Sequence, residues 1–413
     1  MKLHTRIAIG LGIGLGLGLL FNRQGWQETT AFSALDTIGS LFLKLIRMVV
    51  VPLIFASIVH AVATLGDLRR LRRIGGLTLG YYLLTTSIAV VIGLVLVNLI
   101  QPGVGASLAG AETPERAAAG PPTGSELITR VVPDNPFDAL VRSDVLQIIF
   151  FGIILGIALG VMGERAATTL KVFEEINQAI IVIIDWLLQL IPIGVAALMA
   201  RAVGAAGVEA LVALGKYMAT VLAGLGIHGL IVLPLIVWLV GRVRPWRLFG
   251  GVSEALAMAF STASSSATLP VTMEALHDNV GVSRRITRFV LPLGATINMD
   301  GTALYEAVAA MFIAQAYAKH LGMNEQVMVA LTATLAAIGA AGIPEAGLFT
   351  MVIVLQAVHL PLEGIGLILA VDRVLDMCRT TVNVLGDAVG GVCVGRLEGE
   401  LSNEASAVVG DAN

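Results

Sequence analysis

The chain has 413 residues, of which 56% are hydrophobic and only 13% charged, with a net charge of −3 and a mean hydropathy of +0.88. That charged share is about half the usual one, and no polar block of domain size interrupts it, so nearly everything must belong to one membrane domain. The small net charge gives no footing for a nucleic-acid partner, and two cysteines, Cys378 and Cys393, cannot make a disulfide framework.

Apolar segments long enough to cross a bilayer occur near 5–21, 37–65, 76–101, 144–163, 178–200, 212–240, 286–318 and 361–394. The first resembles a signal peptide, but its apolar run is at the long end and no small-x-small cleavage site follows; it reads as a span. Two further stretches, about 251–281 and 326–358, are interrupted by small residues and a proline. Lys2 and Arg6 precede the first span, Arg69, Arg70, Arg72 and Arg73 follow the second, and Arg165 and Lys171 lie between the fourth and fifth. Arg242, Arg244 and Arg247 follow the sixth, and Arg284, Arg285 and Arg288 precede the seventh. All fall on one side if each interrupted stretch enters and leaves by the same face. That side is then the cytoplasm, with both termini inside. The Gly-, Pro- and Ala-rich segment 102–135 reads as an external loop. The polar tail 399–413 reads as a flexible cytoplasmic end.

In span three, Tyr82, Thr85 and Thr86 share one helix face, although membrane threonines commonly bond their own backbone. The first interrupted stretch turns at Ser264-Ser-Ser-Ala-Thr-Leu-Pro270 and the second at Gly339-Ala-Ala-Gly-Ile-Pro-Glu-Ala-Gly347. Helix ends inside a membrane are tolerated where the backbone lines a cavity or meets a ligand. Kinked spanning helices are the simpler alternative, which the positive-inside pattern disfavours. Span seven is broken at Asn298-Met-Asp-Gly-Thr302, where Gly301 favours interruption and frees carbonyls for a hard cation. The local donors are oxygens without His or Cys neighbours in sequence, which suits an alkali or alkaline-earth ion better than zinc or copper. Glu306 follows, a membrane carboxyl with no basic neighbour in sequence. It is a candidate proton carrier or else a permanently neutral structural group.

The densest signal is Ala370-Val-Asp-Arg-Val-Leu-Asp-Met-Cys-Arg-Thr-Thr-Val-Asn-Val-Leu-Gly-Asp387. At about 100° per residue, Asp372, Asp376, Arg379, Asn383 and Asp387 share one narrow face. Each charge at a membrane-helix centre costs about 2.5–3.5 kcal/mol, so the stripe must face a protein interior or watery cavity. A helix-gluing salt-bridge zipper would also place it there, but its density and mixed sign point to an ion and substrate site.

Taken together, Ser264 to Pro270, Asn298 to Thr302, Ala341-Gly-Ile-Pro344 and Asp376 to Asp387 resemble, in order and spacing, the glutamate transporter family of dicarboxylate/amino acid:cation symporters. The resemblance covers nearly the whole chain. It implies an all-α membrane protein of eight transmembrane helices plus two re-entrant helical hairpins, built from inverted repeats, working as a homotrimer in the cell inner (plasma) membrane by an elevator-type movement. Residues 1–75 and 136–205 would be scaffold helices. Residues 76–101 and 206–398 would form the transport domain, with hairpins at about 250–282 and 326–358.

Carried over by position, Arg379 would grip the substrate's side-chain carboxylate and Asp376 its ammonium. Asn383 and Thr380 would hold the main-chain end, with Thr302, Ser265, Ile343 and Gly347 completing the pocket. One Na⁺ site would use Asp387, Asn383, Asn298 and Gly294, and another Asp300, Asn298, Tyr82, Thr85 and Thr86. A third would use Thr296, Met299 and carbonyls of Ala337, Ile338 and Ala340. Glu306 matches the animal members, in which that glutamate is tied to proton co-transport and K⁺ counter-transport. The chain departs from the family at Ala263 and Met377, the two positions where relatives carry a second arginine, and at Glu345.

The expected activity is symport of L-aspartate or L-glutamate with Na⁺, or with H⁺ and K⁺ as the coupled ions, and with no organic cofactor. Neutral amino acid, C4-dicarboxylate and proton-driven glutamate symport are the alternatives. An enzyme is not expected, since Ser264 to Ser266 have no matching histidine or lysine base. The expected partners are membrane lipid and the acidic amino acid.

Overall fold

The computed structural model describes residues 3–26, 28–64, 72–106, 131–338 and 346–402. In chain order its helices are α1 (Leu3–Gln24), α2 (Thr30–Thr64), α3 (Arg72–Ile100), α4 (Pro136–Arg142), α5 (Val145–Met162), α6 (Ala167–Leu188), α7 (Ile191–Ala206) and α8 (Val208–Ile227). They continue as α9 (Pro245–Thr262), α10 (Ser265–Asp278), α11 (Arg284–Ile297), α12 (Asp300–Ala316), α13 (Met323–Ile338), α14 (Ala346–Ala357) and α15 (Ile365–Leu397). Among the described residues the one extended pairing is an antiparallel bridge between Val282 and Leu401.

Among the described residues, five stretches are long and apolar enough to cross a membrane: Thr5–Gln24, Thr30–Ala63, Arg73–Ile100, Val145–Leu188 and Val208–Gly241. The stretch expected to span 178–200 is divided, because α6 ends at Leu188 and α7 starts at Ile191 with Pro192 in its first turn. Proline there loses no helical hydrogen bond, so it starts a helix at little cost. Beyond α8 the helix widens into π turns at His228–Val232 and Val237–Gly241, flanking Pro234.

Two sets of helices pack closely, and they touch where α15 meets α7 and α14 meets α2. In the first, α1 lies along α7, and α2 packs on α5, α6 and α7. Gly10, Gly14 and Gly18 recur one turn apart on α1, and their bare faces meet Pro192, Ala196 and Ala200 of α7. Small residues at this spacing let two backbones approach closely. In the second group, α12 packs on α3, α13 and α15, while α15 also touches α8, α9 and α11. With 33 residues, α15 is about 50 Å long, and it is buried over most of its length.

Both interrupted stretches form antiparallel helix pairs, α9 with α10 and α13 with α14. The first turns at Ala263, which adopts a left-handed conformation (φ 53°). Ser264 then caps α10 by accepting from the Ala267 amide at 3.2 Å. The chain therefore reverses just ahead of the serine run, and Pro270 lies inside α10. The tip of the second pair, 339–345, lies outside the described residues, as do 65–71, 107–130 of the external loop and 403–413 of the tail.

Candidate functional site

Two breaks in helix and one unbroken helix build the site. The α11–α12 helix opens at Asn298 and Met299, whose backbones leave the helical region (ψ 92° and 47°). Gly301 is not the interruption: it lies in the first turn of α12, packed so tightly on α15 that a Cβ would stand 2.8 Å from the Arg379 carbonyl oxygen. Its amide donates to Asn383 Oδ1 at 2.8 Å. Asn383 Nδ2 in turn donates to Thr302 Oγ1 at 3.2 Å and approaches Met299 Sδ at 3.3 Å. Asn298 Nδ2 bridges to the Asn383 carbonyl at 3.2 Å and to Asp387 Oδ1 at 2.9 Å. Gly294 lies directly against Asp387 and the Tyr82 hydroxyl. The family-derived set Asp387, Asn383, Asn298 and Gly294 is thus together.

Asp300 forms a second oxygen cluster. Its Oδ1 accepts from Thr86 Oγ1 at 2.6 Å and, more loosely, from Thr85 Oγ1 at 3.3 Å. The Tyr82 hydroxyl is not spent on it; it donates to the Val290 carbonyl at 2.9 Å. Sequence neighbours suggested no histidine here, yet His228 Nε2 lies 2.9 Å from Asp300 Oδ2, both side chains fully buried. A carboxylate can only accept, so the ring N–H donates. The available signal was a histidine inside an apolar span beside Pro234; π turns often mark functional positions.

The third cluster surrounds Arg379, which is 1% exposed. Its NH1 pairs with Asp372 at 3.0 Å and its NH2 with Asp376 at 2.7 Å. The guanidinium lies 3.9 Å from the centroid of the Tyr305 ring, a cation–π contact on top of two charge-assisted bonds. Gly347 closes the other side, where a Cβ would come within 2.9 Å of NH2. Nothing in an apolar run of sequence distinguishes the stacking ring of Tyr305 from a packing one.

The remaining candidates are dispersed. Ser265 and Thr380 are buried, the first at the start of α10 and the second one residue past Arg379. Thr296 is exposed and spends its hydroxyl on its own helix, at the Leu293 carbonyl 3.0 Å away. Ala337 and Ile338 end α13, while Ala340, Ile343 and Glu345 fall outside the described residues. Glu306 is fully buried on α12, with the Thr350 hydroxyl of α14 as its polar neighbour.

The buried side chains of the described residues include five carboxyls, Asp300, Glu306, Asp372, Asp376 and Asp387, against one guanidinium and one imidazole. Ionised carboxylates cannot stay in a dry interior uncompensated. The buried carboxyls therefore call for protons or small cations as compensation, beyond the one guanidinium held between Asp372 and Asp376. No group of three His, Cys, Asp or Glu side chains suited to a transition metal occurs among the described residues. The oxygen-rich clusters at Asp300 and Asp387 suit a hard ion.

The model of the sodium:dicarboxylate symporter family matches residues 3–397. The human excitatory amino acid transporter 3 is 40% identical, over 87% of this chain and 78% of its own length. The proton/sodium-glutamate symport protein of Geobacillus stearothermophilus is 34% identical, over 90% and 89%. The human neutral amino acid transporter B(0) is 38% identical, over 85% and 71%.

Proposed function

This chain belongs to the sodium:dicarboxylate symporter family, and from that premise we propose that it carries acidic amino acids across a membrane by coupling them to cations. The family is one of transporters rather than enzymes, and the chain is an integral membrane protein with cation-coupled uptake as its activity. The observation that carries the reading is the buried surplus of carboxyls around one guanidinium. Substrate and cation complete each other there: Arg379 receives a carboxylate, and Na⁺ at the Asp300 and Asp387 clusters supplies the positive charge that the protein lacks.

In the mechanism, the substrate's side-chain carboxylate meets Arg379, which Tyr305 and Asp372 hold rigid. Its ammonium meets Asp376, and Thr380 and Asn383 take the main-chain carboxylate, with Thr302, Ser265, Ile343 and Gly347 around it. Asn383 links substrate to ion, because its side chain bonds Gly301 and Thr302 while its carbonyl bonds Asn298 beside Asp387. Filling one site thus orders the other. A neutral substrate would offer Arg379 no carboxylate of its own and leave the guanidinium to Asp372 and Asp376 alone.

The two packing groups support a division of labour. The group of α1, α2, α5, α6 and α7 would be the scaffold of a homotrimer, and α3 with α8 to α15 the moving transport domain of an elevator. The paired helices α9/α10 and α13/α14 would be the re-entrant hairpins within eight spans, the second of them the outer gate. The plasma membrane, with both termini cytoplasmic, is the setting that the arginine-rich connections support.

The test is reconstitution in liposomes with labelled L-aspartate under an inward Na⁺ gradient, then under a proton gradient alone. Uptake that needs Na⁺ is the expected result; no uptake under either gradient refutes the reading. The buried Glu306 favours a second version, in which protons alone drive uptake of the same substrate.

A further inference from the structure

Asp376 has a second cationic neighbour on its own helix. Its Oδ1 bonds Arg379 at 2.7 Å, while its Oδ2 faces Arg373 NH1 at 3.8 Å. Arg373, Asp376 and Thr380 stand at i, i+3 and i+7, so they share one flank of α15. The two arginines differ in kind. Arg379 is enclosed by Asp372, Asp376 and the Tyr305 ring. The Arg373 side chain is 27% exposed, and its ion pair is too long for a hydrogen bond. A partly exposed guanidinium at that distance gives up its partner cheaply.

We propose that Arg373 is a specificity-determining residue: a tethered counter-cation for Asp376 that the substrate's ammonium displaces. This rests on the reading that Asp376 receives the ammonium. When an acidic amino acid binds, its ammonium takes over Oδ2 and Arg373 swings toward solvent. When the same dicarboxylate without an amino group enters, Arg373 stays, so that Asp376 is not left to Arg379 alone beside the ligand. Arg373 thereby sets how sharply the site tells the two apart.

The experiment uses the full chain in liposomes and reads two constants on each protein: KM for labelled L-aspartate and the inhibition constant of succinate against it. Their ratio is independent of the folded fraction. In Arg373→Gln, succinate inhibition should weaken while aspartate KM holds or falls. The ratio of the succinate inhibition constant to KM should rise about fivefold, the upper end for a partly exposed pair. Arg373→Lys should keep the wild-type ratio within about twofold, since the charge remains. An unchanged ratio in Arg373→Gln, or parallel loss of both ligands, overturns the proposal, because a merely structural arginine would act so. Asp376→Asn separates the underlying reading: if it leaves aspartate KM unmoved, the ammonium assignment falls and this proposal with it.

Discussion

Replacing His228 by alanine removes the one donor among the described residues that reaches Asp300 Oδ2, at 2.9 Å between two fully buried side chains. The two threonines hold only the opposite oxygen. Without the ring, the carboxylate can rotate away from the geometry in which Thr85, Thr86 and a cation converge on it. A hydrogen bond to a charged group contributes about 1.5–3 kcal/mol, and about 1.4 kcal/mol is tenfold in a constant. The half-saturating Na⁺ concentration for uptake should therefore rise roughly 10- to 100-fold in His228→Ala. Alanine also leaves a cavity, which costs stability by itself. His228→Gln serves as control: it keeps a donor and much of the volume, so most of the Na⁺ affinity should return. The assay is a Na⁺ titration of L-aspartate uptake at fixed ionic strength, normalised to reconstituted protein. A half-saturation within twofold of wild type in His228→Ala, or a tighter one, would refute the positioning role.

Three further outcomes follow from the same geometry. Glu306→Gln should flatten the pH dependence of uptake and abolish any dependence on internal K⁺; an unaltered pH profile would leave Glu306 a structural group. Gly347→Ala forces a methyl within 2.9 Å of a guanidinium that Tyr305 and two aspartates prevent from retreating. At about 1–3 kcal/mol for overpacking, KM for aspartate should rise about tenfold or more, read in the same uptake assay. Na⁺ should raise the melting temperature of the purified protein where choline at equal ionic strength does not, because a ligand of the folded state alone stabilises it by mass action. Asp387→Asn should shrink that shift, and equal shifts in the two proteins would exclude Asp387 as a cation ligand.

The stripe on α15 could be read in advance because a charged face at helical period inside an apolar run has few physical explanations. The breaks at 263–264 and 298–299 could be anticipated to within a few residues, since serine caps and Gly-rich runs interrupt helices in any context. What could not be read was which side chains meet across the fold. His228 and Asp300 are 72 positions apart, and nothing local to either one names the other. Tyr82 shares a helix face with Thr85 and Thr86, yet its hydroxyl reaches Val290 and the Asp387 side rather than Asp300. Face-sharing sets direction only to within a turn, whereas a long phenol ends several ångströms beyond its threonine neighbours. Gly301 was legible as important for the wrong reason. Its lack of a side chain serves close approach to α15, not a break.

That close approach explains why the broken helix and the unbroken one must be paired. A continuous α11–α12 helix would satisfy the Asn298 and Met299 backbones internally and leave the α15 carboxylates facing apolar residues. Opening it at those two residues turns the Asn298 side chain onto Asp387 and the Gly301 amide onto Asn383. Part of what the break frees is then met by the stripe, although Asn298 Oδ1 has no partner among the described residues. Neither compensates the charge surplus, however, since Asn298, Gly301 and the threonines contribute dipoles and no net charge. Buried carboxyls in such a surplus are neutralised either by bound protons or by cations supplied from outside. Cation binding at the Asp300 and Asp387 clusters is one way to meet that surplus, and it would disappear first in a variant that neutralised Asp300 and Asp387 together.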